Sequence, residues 1–319
     1  MRPVLQLIRF KNLVIIALTM ILMRYGIIQP IFVAYGLSLE LPDLYFSLIV
    51  IAVMLIAAGG YIINDYFDVN VDQLNKPDKV LIGTRFTARS VFVTYLVLNA
   101  IAIVVSVFLL LKTGLLALFF IFPLAIGALW FYSTTYKKQI LIGNLIVAIL
   151  SGIVPILPAL YEIPLVNVMY HEYLISMGID LHIVISWTGT FALFAFILTL
   201  AREIIKDAED VYGDRSYKNS FPLAVGDILT KMIINFLLLV VIFLISYLFW
   251  KYLRITNSGG FDYVTLSYFL ALIIIPLIIT AGIVFKASDT KSYHKASSII
   301  KLIMLAGICY AIVVRFKII

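Results

Sequence analysis

Two triplets of aspartate share one spacing. Asp65, Asp68 and Asp72 stand in AGGYIINDYFDVNVDQLNKPDKV, residues 58–80, and Asp207, Asp210 and Asp214 in LAREIIKDAEDVYGDRSYKNSFPLAVG, residues 200–226. On an α-helix, positions i, i+3 and i+7 fall within an arc of roughly 60°. Each triplet therefore makes one acidic stripe wherever its helix persists, although Gly213 is expected to loosen the second helix before Asp214. Carboxylates this close repel one another and need a cation between them. Oxygen donors without His or Cys favour Mg2+, which takes a few carboxylates and completes its shell with water and phosphate oxygens. Two facing stripes are thus candidates for holding Mg2+ against a diphosphate. Lys76 and Lys79 follow the first stripe, and Lys206, Arg215 and Lys218 surround the second. With Lys137 and Lys138 in YSTTYKKQ, they are candidates for neutralising a diphosphate leaving group.

The elements that carry these residues are apolar. Of 319 residues, 63% are hydrophobic and 13% charged, and the mean hydropathy is +1.10. Soluble domains have roughly 45–50% apolar and about 25% charged residues. The composition is that of an all-α polytopic membrane protein forming one domain, 1–319. The net charge of +7 then points to loops beside anionic lipid and to phosphate-bearing substrates, not to nucleic acid. The single cysteine, Cys309, excludes an intrachain disulfide and a cysteine-based metal site, and His171, His182 and His294 show no ligand spacing. MRPVLQLIRFKN is basic and enters an apolar stretch with no small-residue cleavage site, which reads as a retained first span.

A spanning helix needs about 20 mostly apolar residues. Nine segments qualify, at roughly 13–35, 44–63, 92–111, 114–132, 140–161, 183–201, 231–250, 264–285 and 299–316. KTG alone separates the third from the fourth, implying a tight hairpin. Pro123, Pro155, Pro158 and Pro276 fall inside spans and should kink them. Gly59–Gly60 predicts a kink or a close helix contact just before the first triplet. With the N-terminus inside, 18 Lys and Arg lie in inner connections or at the span ends facing them and 5 on the outer side, leaving Arg24 deep within a span. The positive-inside rule then sets the N-terminus and both triplets on the cytoplasmic side. The outer loop 162–182 has no Lys or Arg. It is expected to carry a short interfacial helix, with His171 and Glu172 merely solvated. For one triplet alone, a solvated helix end is the plain alternative. Two matched triplets on one side, each flanked by cations, weigh against it.

NDYFDVNVD resembles the N-D-x-x-D-x-x-x-D signature of the UbiA-type intramembrane prenyltransferases, and the second triplet resembles that family's D-x-x-D-x-x-x-D motif. Arg9 and Asn12 as R-x-x-N, Tyr132–Ser133 with Lys137, and Gly143–Asn144 also match. The last three spans carry no recognisable motif. The resemblance implies Mg2+-dependent transfer of a prenyl group from an allylic diphosphate to an acceptor. It implies that Asn64, Asp65, Asp68 and Asp72 form one Mg2+–diphosphate cluster, that Asp207, Asp210 and Asp214 form the other, and that Asn12 and Asn144 line the pocket. REIIKDAEDVYGD is most similar to the archaeal-lipid branch, the digeranylgeranylglyceryl phosphate synthases. NKPDKV stands where that branch has NRPDRP, so Lys76 and Lys79 keep the charge without arginine's bidentate geometry. The donor implied is geranylgeranyl diphosphate and the acceptor a prenylated glycerol phosphate. Arg202 would then hold the acceptor's phosphate and Glu203 would take its proton, with a helix-end ion pair as the alternative for both. An aromatic acceptor (4-hydroxybenzoate, naphthoate or homogentisate) or a porphyrin acceptor stays open. So does a different class, an ion or solute transporter, although carboxylates at helix ends and nine spans suit it poorly. A non-catalytic scaffold gives no reason for two matched triplets.

Overall fold

The computed structural model describes residues 2–75, 80–211, 220–255 and 259–318. Among these, nine helices are long and apolar enough to cross a membrane: α1 Phe10–Ala34, α2 Asp43–Asn75, α3 Ala88–Thr113, α4 Leu116–Thr134, α5 Ile142–Met169, α6 His182–Glu209, α7 Asp227–Leu253, α8 Tyr263–Lys286 and α9 Thr290–Lys317. Each corresponds to a predicted span, and the described residues form no strand. In hydrocarbon every backbone N–H and C=O must be satisfied within the protein, which leaves the helix as the default. Intramembrane hydroxyls follow the same rule. Thr19 donates to the Ile15 carbonyl, Thr188 to that of Val184 and Thr280 to that of Pro276. Large apolar side chains such as Leu111, Leu124, Phe243 and Phe316 face outward, as a lipid solvent allows and water does not.

The helix ends differ from expectation in one direction. Hydropathy falls where charges begin, but the backbone ladder does not depend on side-chain polarity. So α2 runs to Asn75 and α6 to Glu209, both beyond the apolar runs. Gly59 and Gly60 do not break α2. A Cβ on Gly60 would stand 2.8 Å from Leu129 of α4, and one on Gly59 would stand 2.9 Å from Asn99 of α3. Small residues here bring helices close. The expected hairpin forms at Gly114, whose φ of 70° reverses the chain between α3 and α4.

Three apolar clusters hold the bundle, the smallest around Ile62, Ile63 and Tyr95 between α2 and α3. Of the larger two, one joins α1 to α5 through Met20, Phe46, Ile49, Leu109, Phe122 and Leu157. The other joins the second half of α1 to α5–α9 through Ile28, Phe32, Ile204, Leu238, Leu277 and Ile300. Helix α1 therefore lies between both groups. It carries a π-helical turn, Met23–Ile28, and Gly26 there lets α9 approach with Ala311 O 3.0 Å from a virtual Cβ.

The outer loop expected at 162–182 begins later, because α5 continues to Met169. The short helix His171–Met177 is present, with His171 and Glu172 exposed. Glu162, placed in that loop on sequence, is instead 0% exposed inside α5. Its Oε1 lies 3.1 Å from Nη2 of Arg24, itself 1% exposed. Oε2 accepts the amides of Glu40 and Leu41 at 3.0 and 3.1 Å, and the Arg24 guanidinium lies 4.5 Å over the Phe46 ring. Asp43, 79% exposed, completes the cluster at 3.3 Å. Removing one partner from a buried pair costs about 3–5 kcal/mol. We expect Arg24→Met to lower Tm in detergent far more than Asp43→Asn does. Similar small shifts for both would show that the pair contributes little.

Candidate active site

One face of the bundle gathers the ends of α2, α4 and α6 with the starts of α1, α5 and α9. Arg9 precedes α1 in a left-handed conformation, φ 49° and ψ 51°, which costs a non-glycine residue roughly 1–2 kcal/mol. Its Nη2 donates to Asp65 Oδ1 at 2.8 Å, and its guanidinium stacks 4.8 Å over the Tyr61 ring. Burial opposes the charge on Arg9, but Asp65 and then Tyr61 outweigh it and lift its pKa further above the ordinary arginine value.

Asp65, Asp68 and Asp72 all lie in helical α2, as their spacing predicts. Lys137, on a short 3-10 turn after α4, donates to Asp68 Oδ1 at 2.5 Å. Of the two described members of the second triplet, Asp207 lies in α6, which ends at Glu209, and Asp210 is its C-cap. Asn144, at the start of α5, donates to Asp207 Oδ2 at 2.8 Å. Asn144 thus orients a carboxylate. Asn12 lines the cavity, where it donates to the Tyr61 hydroxyl at 3.2 Å. Glu203 makes an ion pair: its Oε1 accepts Lys206 at 2.5 Å and Arg202 at 3.2 Å. Lys76, Lys79, Asp214, Arg215 and Lys218 lie outside the described residues.

Of these groups Arg9, Asn12, Tyr61, Arg202, Glu203 and Lys206 line a cavity of about 1030 Å³, and the described aspartates are not among its lining residues. Its head is polar, with Arg9, Asn12, Asn64, Tyr132, Arg202 and Lys301 among its lining residues. Its body is apolar and aromatic, with Phe122, Trp187, Phe191 and Phe194. The lining follows α6 from Lys206 to Ile183, roughly 35 Å at 1.5 Å per residue, about the whole hydrocarbon thickness.

The donor set fits a hard cation. Hard oxygen ligands stand on both stripes, and Asn64 Oδ1, buried at the cavity head, has no partner. Among the described residues no three acidic, His or Cys side chains converge to hold a metal unaided. A cation here would need further oxygen ligands, as Mg2+ takes from water and phosphate.

Lys301 was not foreseen as a site residue, only counted among inner-loop charges. Its Nζ donates to Asn12 Oδ1 at 2.6 Å. The missed signal was a lysine within the apolar run SSIIKLIMLAG, since an ionisable residue within a span marks function by default.

A family model described as the UbiA prenyltransferase family matches residues 16–304. The digeranylgeranylglyceryl phosphate synthase of Sulfurisphaera tokodaii is 31% identical over 284 residues, 86% of this chain and 90% of that one. That of Thermococcus kodakarensis is 27% identical over 290 residues, 90% and 91% of the two chains. A solved structure of a digeranylgeranylglyceryl phosphate synthase in membranes shares the fold, with TM-score 0.61, 23% identity and 98% of both chains covered. So does a UbiA homolog from Archaeoglobus fulgidus bound to GPP and Mg2+, with TM-score 0.54, 15% identity and 98% and 99% of the two chains covered.

Gly143 lets this face close. A Cβ there would meet Lys137 Cα at 2.9 Å and the Tyr136 carbonyl oxygen at 3.1 Å, both backbone atoms. Gly143→Val must displace the turn that delivers Lys137 to Asp68, at about 1–3 kcal/mol for overpacking. We expect a lower Tm and a shifted Lys137 Nζ resonance by NMR. An unchanged melt and resonance would refute the close approach.

Proposed function

The chain belongs to the UbiA prenyltransferase family, and we propose that it transfers a prenyl group, geranylgeranyl by preference, to the hydroxyl of a prenylated glycerol phosphate, releasing diphosphate. It is an integral membrane protein; the proposed setting is the cell membrane, with the aspartate face towards the cytoplasm. One observation carries the reading: a cavity with a charged head, next in sequence to aspartates of both stripes, whose lining follows α6 for about the hydrocarbon thickness and is otherwise mainly apolar. A diphosphate suits the head and a long isoprenoid suits the body. The names of the relatives, all digeranylgeranylglyceryl phosphate synthases among those given above, support the acceptor class. The Archaeoglobus fulgidus homolog, bound to GPP and Mg2+, supports donor and metal.

The reaction breaks the allylic C–O bond to diphosphate and forms a C–O bond to the acceptor oxygen, whose proton must leave. Asp65, Asp68 and Asp72, with Asp207, Asp210 and Asp214 opposite, would hold Mg2+, and Asn64 Oδ1 offers a further oxygen. When bound, the metal supplies positive charge to the leaving diphosphate. Lys137 and Arg9 each neutralise one carboxylate of the first stripe, which keeps that stripe ordered for a polyanion. Lys206 lines the cavity head, and Lys76, Lys79 and Lys218, outside the described residues, are proposed from the sequence as further cations for the polyanion. Tyr61, Trp187, Phe191 and Phe194 line the cavity, where aromatic faces stabilise allylic positive charge and the apolar walls exclude water. Arg202 and Lys206 both take Oε1 of Glu203, so the acceptor's proton falls to Oε2.

Purified protein with Mg2+ and geranylgeranyl diphosphate should yield a diether phosphate from geranylgeranylglyceryl phosphate, identified by mass. Chelation should abolish turnover, and Asp68→Ala and Asp210→Ala should each cost at least about 100-fold. Prenylation of an aromatic acceptor instead would keep the family and overturn the acceptor. Undiminished turnover in both variants would overturn the role of the stripes.

A further inference from the structure

We infer that Lys301, together with Arg202, reads the phosphate of the acceptor and makes the last span a determinant of acceptor specificity. This deepens the proposed function and rests on its phosphorylated acceptor.

The argument begins with charge. Arg9, Arg202, Lys206 and Lys301 line the cavity head, against the one lining carboxylate, Glu203. Asp65 behind Arg9 offsets that arginine at 2.8 Å. Glu203 offsets one of the two cations that share its Oε1. Among the described lining residues two cations are left once Asp65 and Glu203 are counted, with Asp72, Asp207 and Asp210 elsewhere at the same end. Lys301 is the clearest case. Its hydrogen-bond partner is the neutral Asn12 amide oxygen, at 2.6 Å. The charges that bear on it most are Arg202 and Lys11, both positive. Arg202 adds a buried Nε with no partner. A cation held among cations beside an apolar cavity is costly unless a ligand brings the opposing charge. A phosphate monoester, with close to two negative charges at neutral pH, supplies such an opposing charge.

Different helices carry the cations proposed for this anion and for the diphosphate. Lys137 and Arg9 mark the donor side, through their bonds to Asp68 and Asp65 on α2. Lys301 reaches the cavity from α9 and Arg202 from α6. Below them the cavity wall is built by Phe194, Ile245, Ile273 and Met304, from α6, α7, α8 and α9. An acceptor with its phosphate on Lys301 and Arg202 has its own apolar wall for its prenyl chain. The last three spans, which carry no family motif, supply most of that wall.

The test compares wild type, Lys301→Met and Lys301→Arg, with geranylgeranylglyceryl phosphate and unphosphorylated geranylgeranylglycerol as acceptors. A hydrogen bond between charged groups is worth about 1.5–3 kcal/mol, so Lys301→Met should raise KM for the phosphorylated acceptor by at least about tenfold. KM for geranylgeranyl diphosphate should stay within about twofold, and the preference for the phosphorylated acceptor should fall by the same factor as its KM rises. Lys301→Arg should recover part of both. A thermal shift induced by geranylgeranyl diphosphate and Mg2+ identifies folded variants; if Lys301→Met is unfolded, Lys301→Gln takes its place. Wild type that uses the phosphorylated acceptor, with variants of unchanged acceptor KM, overturns this inference alone. An equal rise in donor KM overturns it as well, assigning Lys301 to the diphosphate. Wild type that prenylates only uncharged or aromatic acceptors overturns the acceptor reading and this inference with it.

Discussion

Where these helices run, there is no water to share a charge, so every ion needs a partner in the protein or in a ligand. The two ends of the bundle meet that constraint differently. At the end away from the aspartates, Arg24 faces Glu162 inside the protein, and backbone amides of Glu40 and Leu41 take the remaining carboxylate oxygen. That cluster is internally matched, and it pins the α1–α2 connection onto α5. At the aspartate end the match is incomplete. Arg9 and Lys137 have carboxylates, while Lys301 has a neutral amide. A buried structural ion pair closes on itself; a binding site leaves charge for its ligand to complete.

Continuity of the backbone ladder turns that imbalance into a site. Had α2 stopped where its apolar run stops, Asp68 and Asp72 would lie on a loop. Because the helix persists to Asn75, all three aspartates keep one face at the membrane boundary. The strained backbone at Arg9 sets a guanidinium against the first of them, and the glycine at 143 lets the Lys137 turn pack against α5. Two backbone features, at positions far apart in sequence, place two cations on one acidic stripe.

The spans were legible because twenty-residue apolar runs have few other fates, and the first triplet because a helical period translates directly into a shared face. The second triplet was legible only in part. Its spacing says nothing of where α6 ends, and a C-cap at Asp210 depends on local chain conformation. Glu162 was misassigned to a loop because a carboxylate lowers hydropathy, although its partner Arg24 sits inside a span more than a hundred residues away. Lys301 was hidden for a related reason. A lysine near a helix start satisfies the positive-inside rule, and topology explained it before its surroundings were known. In each case the missing information was a tertiary partner.

The distribution of motifs across the chain has a chemical logic on this reading. The recognisable residues end near Asp214, and the two aspartate motifs among them are proposed to serve the diphosphate, the part of the reaction that every allylic donor shares. An acceptor is read by shape and by charge placed outside those stripes, on helices such as α9 whose sequence otherwise looks like lipid-facing filler. Family motifs can therefore establish the donor chemistry while leaving the acceptor open. The cations that line the cavity head from α6 and α9, Arg202 and Lys301, are the feature that bears on it. An aromatic acceptor with one carboxylate would bring them one negative charge, whereas a phosphate monoester would bring close to two.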